Sequence, residues 1–109
     1  MKATIGRIVH YRLSESDVRA ITRRRTDGAS IHSRIEAGTW PTGAQAHIGN
    51  THHVGQVVPA IIVQVWPNEY GPDHDGINAQ AFLDGNDQLW LTSVREGSEP
   101  GQWMWPARA

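Results

Sequence analysis

Apolar positions along the chain fall into short runs separated by turn residues, and the period of each run changes with position. Ile5, Ile8, Val9 and Tyr11 alternate loosely with polar neighbours, which predicts an opening strand over 3–13 with a bend at Gly6. At Ser14 the pattern changes. The Ser14 hydroxyl suits an N-cap, Glu15 and Asp17 suit the positive end of a helix, and Leu13 and Val18 occupy staple positions. Val18 and Ile21 share a face, Arg23, Arg24 and Arg25 lie where cations favour a helix C-terminus, and Asp27-Gly28 supplies a stop. A second, shorter helix is expected from Ser30, with Ile31 and Ile35 four apart and Gly38 ending it before Trp40-Pro41. The small residues of 43–48 predict a short strand or an extended connection before a Gly49-Asn50 turn.

The remainder has strand periodicity. Val57–Trp66 is the most apolar stretch, predicting a strand buried on much of both faces, with Pro59 near its start where a missing N–H is tolerated. A polar loop leads to a strand over 77–83, the turn Asp84-Gly85-Asn86-Asp87 and a strand over 89–94, forming a hairpin. After a Gly/Pro-rich break, a last strand over 102–106 places Trp103 and Trp105 on one face and Met104 on the other. The pattern as a whole predicts one mainly β domain over 1–109: strand 3–13, helical insertion 14–42 and β meander 43–106. Strand number and spacing match a small five-stranded SH3-like β-barrel. An OB-like barrel is the alternative, although its helix usually comes later in the chain.

Composition narrows the chemistry. A chain of 109 residues suits one core, and the absence of Cys rules out disulfides and thiolate zinc sites. No apolar run approaches the roughly 20 residues of a membrane span, and the first residues lack the apolar core of a signal peptide, so a cytosolic or particle protein is expected. The net charge of −1 hides a division: residues 1–39 carry eight bases and four acids, residues 40–109 two bases and seven acids. With the positive charge confined to the first part, extended nucleic acid is disfavoured as a partner, and a small anionic ligand fits better.

Three groups of residues carry candidate chemistry. Arg23, Arg24 and Arg25 offer guanidinium forks for phosphate or carboxylate, or for Asp84 or Asp87 across the fold. His47 and Asn50 are polar groups that could join them at a ligand, and Trp40 or Trp105 could stack on a base. His52, His53, His74 and Asp75 are the donors from which a metal site would be built, but adjacent histidines in an extended segment point apart and no H-E-x-x-H helix exists. Neither a nucleophile elbow nor a phosphate loop is present, so no enzyme is prompted and no cofactor is expected.

Five segments carry a resemblance: Gly6-Arg7-Ile8-Val9-His10-Tyr11, Arg23-Arg24-Arg25-Thr26-Asp27-Gly28-Ala29-Ser30-Ile31, Gly43-Ala44-Gln45-Ala46-His47-Ile48-Gly49-Asn50, Leu83-Asp84-Gly85-Asn86-Asp87 and Trp103-Met104-Trp105-Pro106. They resemble segments of small uncharacterised bacteriophage and prophage proteins over nearly the whole chain. That group tends to end in His-Trp-Pro; Met104 stands in the histidine's place here, so no role of that histidine carries over. No activity comes with the resemblance. It implies a location in the bacterial host cytoplasm or in the virion. The expected function is then a non-catalytic binding protein that sequesters a small anionic, nucleotide-like ligand such as a host-defence signal, with a second copy of the chain, as a homo-oligomer, a further candidate partner. A virion or protein-interaction module is the alternative, and a metal-dependent hydrolase a second one.

Overall fold

The structure is a computed structural model that describes residues 2–36 and 47–107, with the side chains of 26–36 excepted. Its elements are β1 (Ile8–Arg12), α1 (Glu15–Glu36), β2 (Val57–Trp66), β3 (Gly76–Phe82), β4 (Gln88–Arg95) and β5 (Trp103–Met104). All five strands form one antiparallel sheet in the order β4-β3-β2-β1-β5. The sheet curls into a half-barrel. Where its two ends meet, Glu96 bridges Trp103 and the Gly97 N–H donates to the Trp103 carbonyl at 2.9 Å.

One face of every strand supplies the core. Val9, Tyr11, Val58, Ala60, Ile62, Ile77, Ala79, Ala81, Leu89, Leu91, Val94 and Trp103 all lie inside it, and Leu13 and Ile21 join from the start of the helical segment. Across β2 and β3 Ala60 pairs with Ala81 and Ala79 with Ile62, and the three small side chains leave room for the larger Ile62 and Trp103 in the same core. β2 does not have two buried faces. Val57, Pro59 and Val63 face outward, so the apolar run serves the core on one side and forms an exposed apolar surface on the other.

β1 is also shorter than its apolar pattern suggests. Gly6, at φ 90°, turns the chain before the strand begins, with the Thr4 carbonyl accepting the Arg7 N–H at 3.2 Å and the Gly6 N–H reaching the Ile62 carbonyl at 2.8 Å. Two bulges interrupt the sheet at the same level. Relative to β3, one extra residue lies in β2 between Ile62 and Gln64, and another in β4 between Leu91 and Val94, where Ser93 has φ 50°. Asn78 of β3 joins them. Its Oδ1 accepts the Trp66 indole N–H at 3.0 Å and the Ser93 N–H at 2.8 Å.

The helix begins as the sequence predicts. The Ser14 Oγ accepts the Asp17 N–H at 3.1 Å and Asp17 Oδ2 accepts the Ser14 N–H at 2.9 Å, a reciprocal capping box. The Tyr11 hydroxyl donates to the same carboxylate at 2.5 Å, and burial, reinforced by Asp17, pushes the phenol's pKa up. Replacing Ser14 with alanine should cost about 1 kcal/mol in chemical unfolding. Instead of stopping at Asp27-Gly28, however, α1 runs on as a single helix to Glu36. A glycine inside a helix costs only about 1 kcal/mol, and the intrahelical bonds of the following turns outweigh it. Trp40 and the first part of the expected 43–48 strand lie outside the described residues; at its end, Gly49 makes only an isolated bridge to Gly85.

Candidate functional site

The basic helix meets the acidic hairpin at the turn between β3 and β4. Arg24 and Arg25 are consecutive, about 100° apart around the helix, so two guanidinium groups straddle one target. That target is Asp87. Arg25 Nη2 lies 2.6 Å from Asp87 Oδ1, and Arg24 Nη1 lies 3.3 Å from Asp87 Oδ2. Arg24 Nη1 also donates to the Gln88 carbonyl at 2.8 Å, and Arg25 Nη1 donates to the Asn50 carbonyl. Burial alone would raise the Asp87 pKa, but the hydrogen bond and charge of Arg25, followed by the charge of Arg24, outweigh it and hold the carboxyl below its ordinary value.

The segment 48–52 fastens to the same turn. The Asn50 N–H and Nδ2 donate to the Asp84 carbonyl and Oδ2 at 2.9 and 3.0 Å, while Ile48 and Asn86 exchange hydrogen bonds at 2.9 Å. The two backbones approach so closely at Gly49 and Gly85 that a Cβ on Gly49 would stand 2.4 Å from the Asp84 carbonyl oxygen. Gly49→Ala should therefore lower stability by about 2 kcal/mol, measured by thermal unfolding, because backbone rather than a flexible side chain has to yield.

His52 is 3% exposed and lies between these groups. The Asp84 backbone N–H faces its Nε2 at 3.1 Å and Arg25 Nη1 faces its Nδ1 at 3.2 Å, so a donor stands at each ring nitrogen, and a neutral imidazole can accept from one of them. A cleft of about 200 Å³ opens here, lined by Ile21, Thr22, Arg25, Gly49, Asn50, Thr51 and His52. Arg25 Nε is buried beside it without a partner among the described residues.

The candidate residues thus divide. Arg24, Arg25 and Asn50 converge, and His52, which the sequence offered only as a metal donor, joins them as a packed polar group. Arg23 is exposed beside them. His47 is half-buried with an unpartnered Nδ1. Trp105 is half-buried and packs edge-on against Trp103, centroids 5.4 Å apart, rather than standing open in a groove. His53 and His74 are exposed, and among the described residues no three His, Asp or Glu side chains stand close enough together to hold a metal.

Sequence reasoning missed Trp90. It is 62% exposed, on the outer face of the sheet, and its backbone register runs Trp90–Gln80–Ile61–Ile8 across four strands. Ile8 is 58% exposed, and Phe82, Val57 and Val63 are also open to solvent on these strands. Within β2 alone, Val57, Pro59, Ile61 and Val63 alternate outward against the buried Val58, Ala60 and Ile62, an apolar outer row that counting alternate positions in the sequence could have given. Comparison of the chain with family models, with curated proteins and with solved structures gives no match.

Proposed function

We propose that the chain is a non-catalytic protein-interaction module that takes its partner on the outer face of the sheet. The row Ile8–Ile61–Gln80–Trp90 carries this reading, because it places an open aromatic and two aliphatic side chains, with Gln80 between them, on one outer face, a composition that suits an interface core. The strand order, and the return of the end of β4 to β5, support an SH3-like barrel as the scaffold in preference to an OB-like one. Among the described residues no helix is long and apolar enough to cross a membrane. In-cell photo-crosslinking tests the proposal. Benzoylphenylalanine in place of Phe82 is expected to trap discrete protein adducts, and in place of Glu69, in the β2–β3 loop, to trap none. No adduct at Phe82, or equal adducts at both, rejects it; an adduct of twice the chain mass identifies the partner as a second copy.

One observation favours a second reading, in which the module sequesters a small anion. The unpartnered Arg25 Nε beside the cleft is a buried donor that an anionic group would satisfy. The other two Arg25 nitrogens are engaged, and Asp84 and Asp87 balance the charge of Arg24 and Arg25 locally, so the attraction is weak. Isothermal titration with cyclic and ADP-ribose-type nucleotides that produces no heat eliminates this second reading.

A further inference from the structure

A partner on the outer face of the sheet also meets its edge, where the form of the chain it presents is decided. Among the described residues β4 is the outermost strand on its side, and its partner β3 occupies only one of its two edges. Which groups point away from β3 follows from the register. The Leu83 N–H donates to the Asp87 carbonyl, and Phe82, Ala81, Gln80 and Ala79 face Gln88, Leu89, Trp90 and Leu91 in turn. In an antiparallel pair, hydrogen-bonded and non-hydrogen-bonded positions alternate. Leu89 and Leu91 therefore bond to β3, while the N–H and C=O of Gln88 and Trp90 turn outward. The outside contact of Arg24 with the Gln88 carbonyl agrees with this phase.

Both ends of that edge are covered. Arg24 takes the Gln88 carbonyl at one end, and at the other the Tyr70 hydroxyl donates to the Ser93 carbonyl where the bulge breaks the ladder. Between them the edge opens on a cleft of about 300 Å³. Residues 90–94 form one wall, and Tyr11, Ser14, Ser16, Asp17 and Gly101 line the other. This is the volume of about ten water molecules at roughly 30 Å³ each, enough for a few residues of extended chain. A second copy's β4, backed by its own sheet, would not enter between two such walls. Among the described residues Asp17 is the only charged side chain on them, and its Oδ1 has no partner there, since Tyr11 and Ser14 both use Oδ2.

We propose that the free edge of β4 at Trp90 receives an extended peptide segment bearing a basic side chain, which adds to the sheet as a further strand. The proposal rests on the interaction-module reading and names the form of the partner. Main-chain pairing at Trp90 supplies the register, and Asp17 supplies the preference for a cation. The exposed Trp90 ring stands beside the added strand on the outer face, where edge and face contacts become continuous.

The test uses the full chain and acetyl-Thr-Val-Lys-Val-Thr-amide, with two further versions N-methylated at alternate amides. Binding is followed by the Trp90 amide resonance and its hydrogen exchange. The parent peptide is expected to slow Trp90 exchange at least about tenfold, and one N-methylated version to bind about tenfold more weakly while the other binds normally. Glu in place of the peptide's Lys is expected to weaken binding several-fold. An unmoved Trp90 amide at millimolar peptide, equal binding of both N-methylated versions, or no effect of the charge reversal overturns the proposal. So does Trp90 protection that rises with protein concentration in the absence of peptide, because the edge would then hold a second copy. If Phe82 crosslinks a partner while the peptides fail, the strand-addition inference falls alone; if neither binds, both readings fall.

Discussion

Replacing Asp87 with alanine is expected to cost about 3 kcal/mol of folding stability, measured by urea unfolding, at the low end of what breaking a buried ion pair costs. Its side chain is 1% exposed and receives two guanidinium groups. They are not equivalent. Arg24 is about a quarter exposed and its contact is long, so solvent screens most of that pair's value, whereas Arg25 is nearly buried and close. The alanine variant leaves the Arg25 charge without its counter-ion, although the Asn50 and Gln88 carbonyls still hold the two arginines and limit the damage. Asp87→Asn, which keeps the shape and removes the charge, should fall between the two. A loss below about 0.5 kcal/mol in the alanine variant would show that α1 docks independently of this contact.

The same carboxyl makes stability depend on pH with a definite sign. Burial opposes its ionisation, but Arg25 and then Arg24 prevail, so its folded pKa is below the ordinary carboxylate value of about 3.9. A lowered folded pKa means that its contribution is present above that unfolded value and is lost as the pH falls through the folded one. Unfolding curves for the natural chain and Asp87→Asn should therefore converge below about pH 4 and separate above it.

Trp103→Ala is expected to cost about 4 kcal/mol, the largest effect of a single core truncation here and a large share of the roughly 5–15 kcal/mol a domain possesses. Trp103 is among the largest fully buried side chains. Its strand is two residues long, yet it pairs with Tyr11 of β1, bridges Glu96 at the end of β4 and packs at 84° against Trp105. Loss of the ring thus removes the core contact that closes the curled sheet as well as an apolar volume. Trp90→Ala supplies the contrast, with a change within about 0.5 kcal/mol because that ring is mostly in water. A thermal scan in which the two variants melted together would remove Trp103 from the core.

Much of the fold was legible in the chain because its local signals agree with its tertiary contacts. Ser14 and Asp17 form the capping box that their spacing implies, and Asp84 to Asp87 make the turn between two strands. The continuation of α1 through Gly28 was not legible, because Asp-Gly carries the same signal whether or not the helical hydrogen bonds on either side continue. The open second face of β2 is not legible for a related reason: an apolar run records which residues are present, not which side of the sheet a neighbouring layer covers. At the helix–hairpin junction the sequence offered Arg23, Arg24 and Arg25 as equals. Only helix phase decides that two of them meet Asp87, and only the pairing of 48–52 with the hairpin turn puts His52 among them. Trp90 was hidden in the same way, since an aromatic in a strand has the same composition signal facing in or out.

The paired bulges flanking Asn78 imply that the sheet contains two removable residues. Ile62 and Val65 face the core side with Val63 and Gln64 open between them, and Leu91 and Val94 face it with Thr92 and Ser93 open between them. A chain shortened by Val63 and Ser93 together would keep each inward residue inward, since strict alternation would resume in both strands. The left-handed backbone at Ser93 would vanish with it, and the Asn78 carbonyl would lose a donor. The extra pair therefore does not encode the core. It sets the local twist, and homologous sheets of two lengths could share one interior.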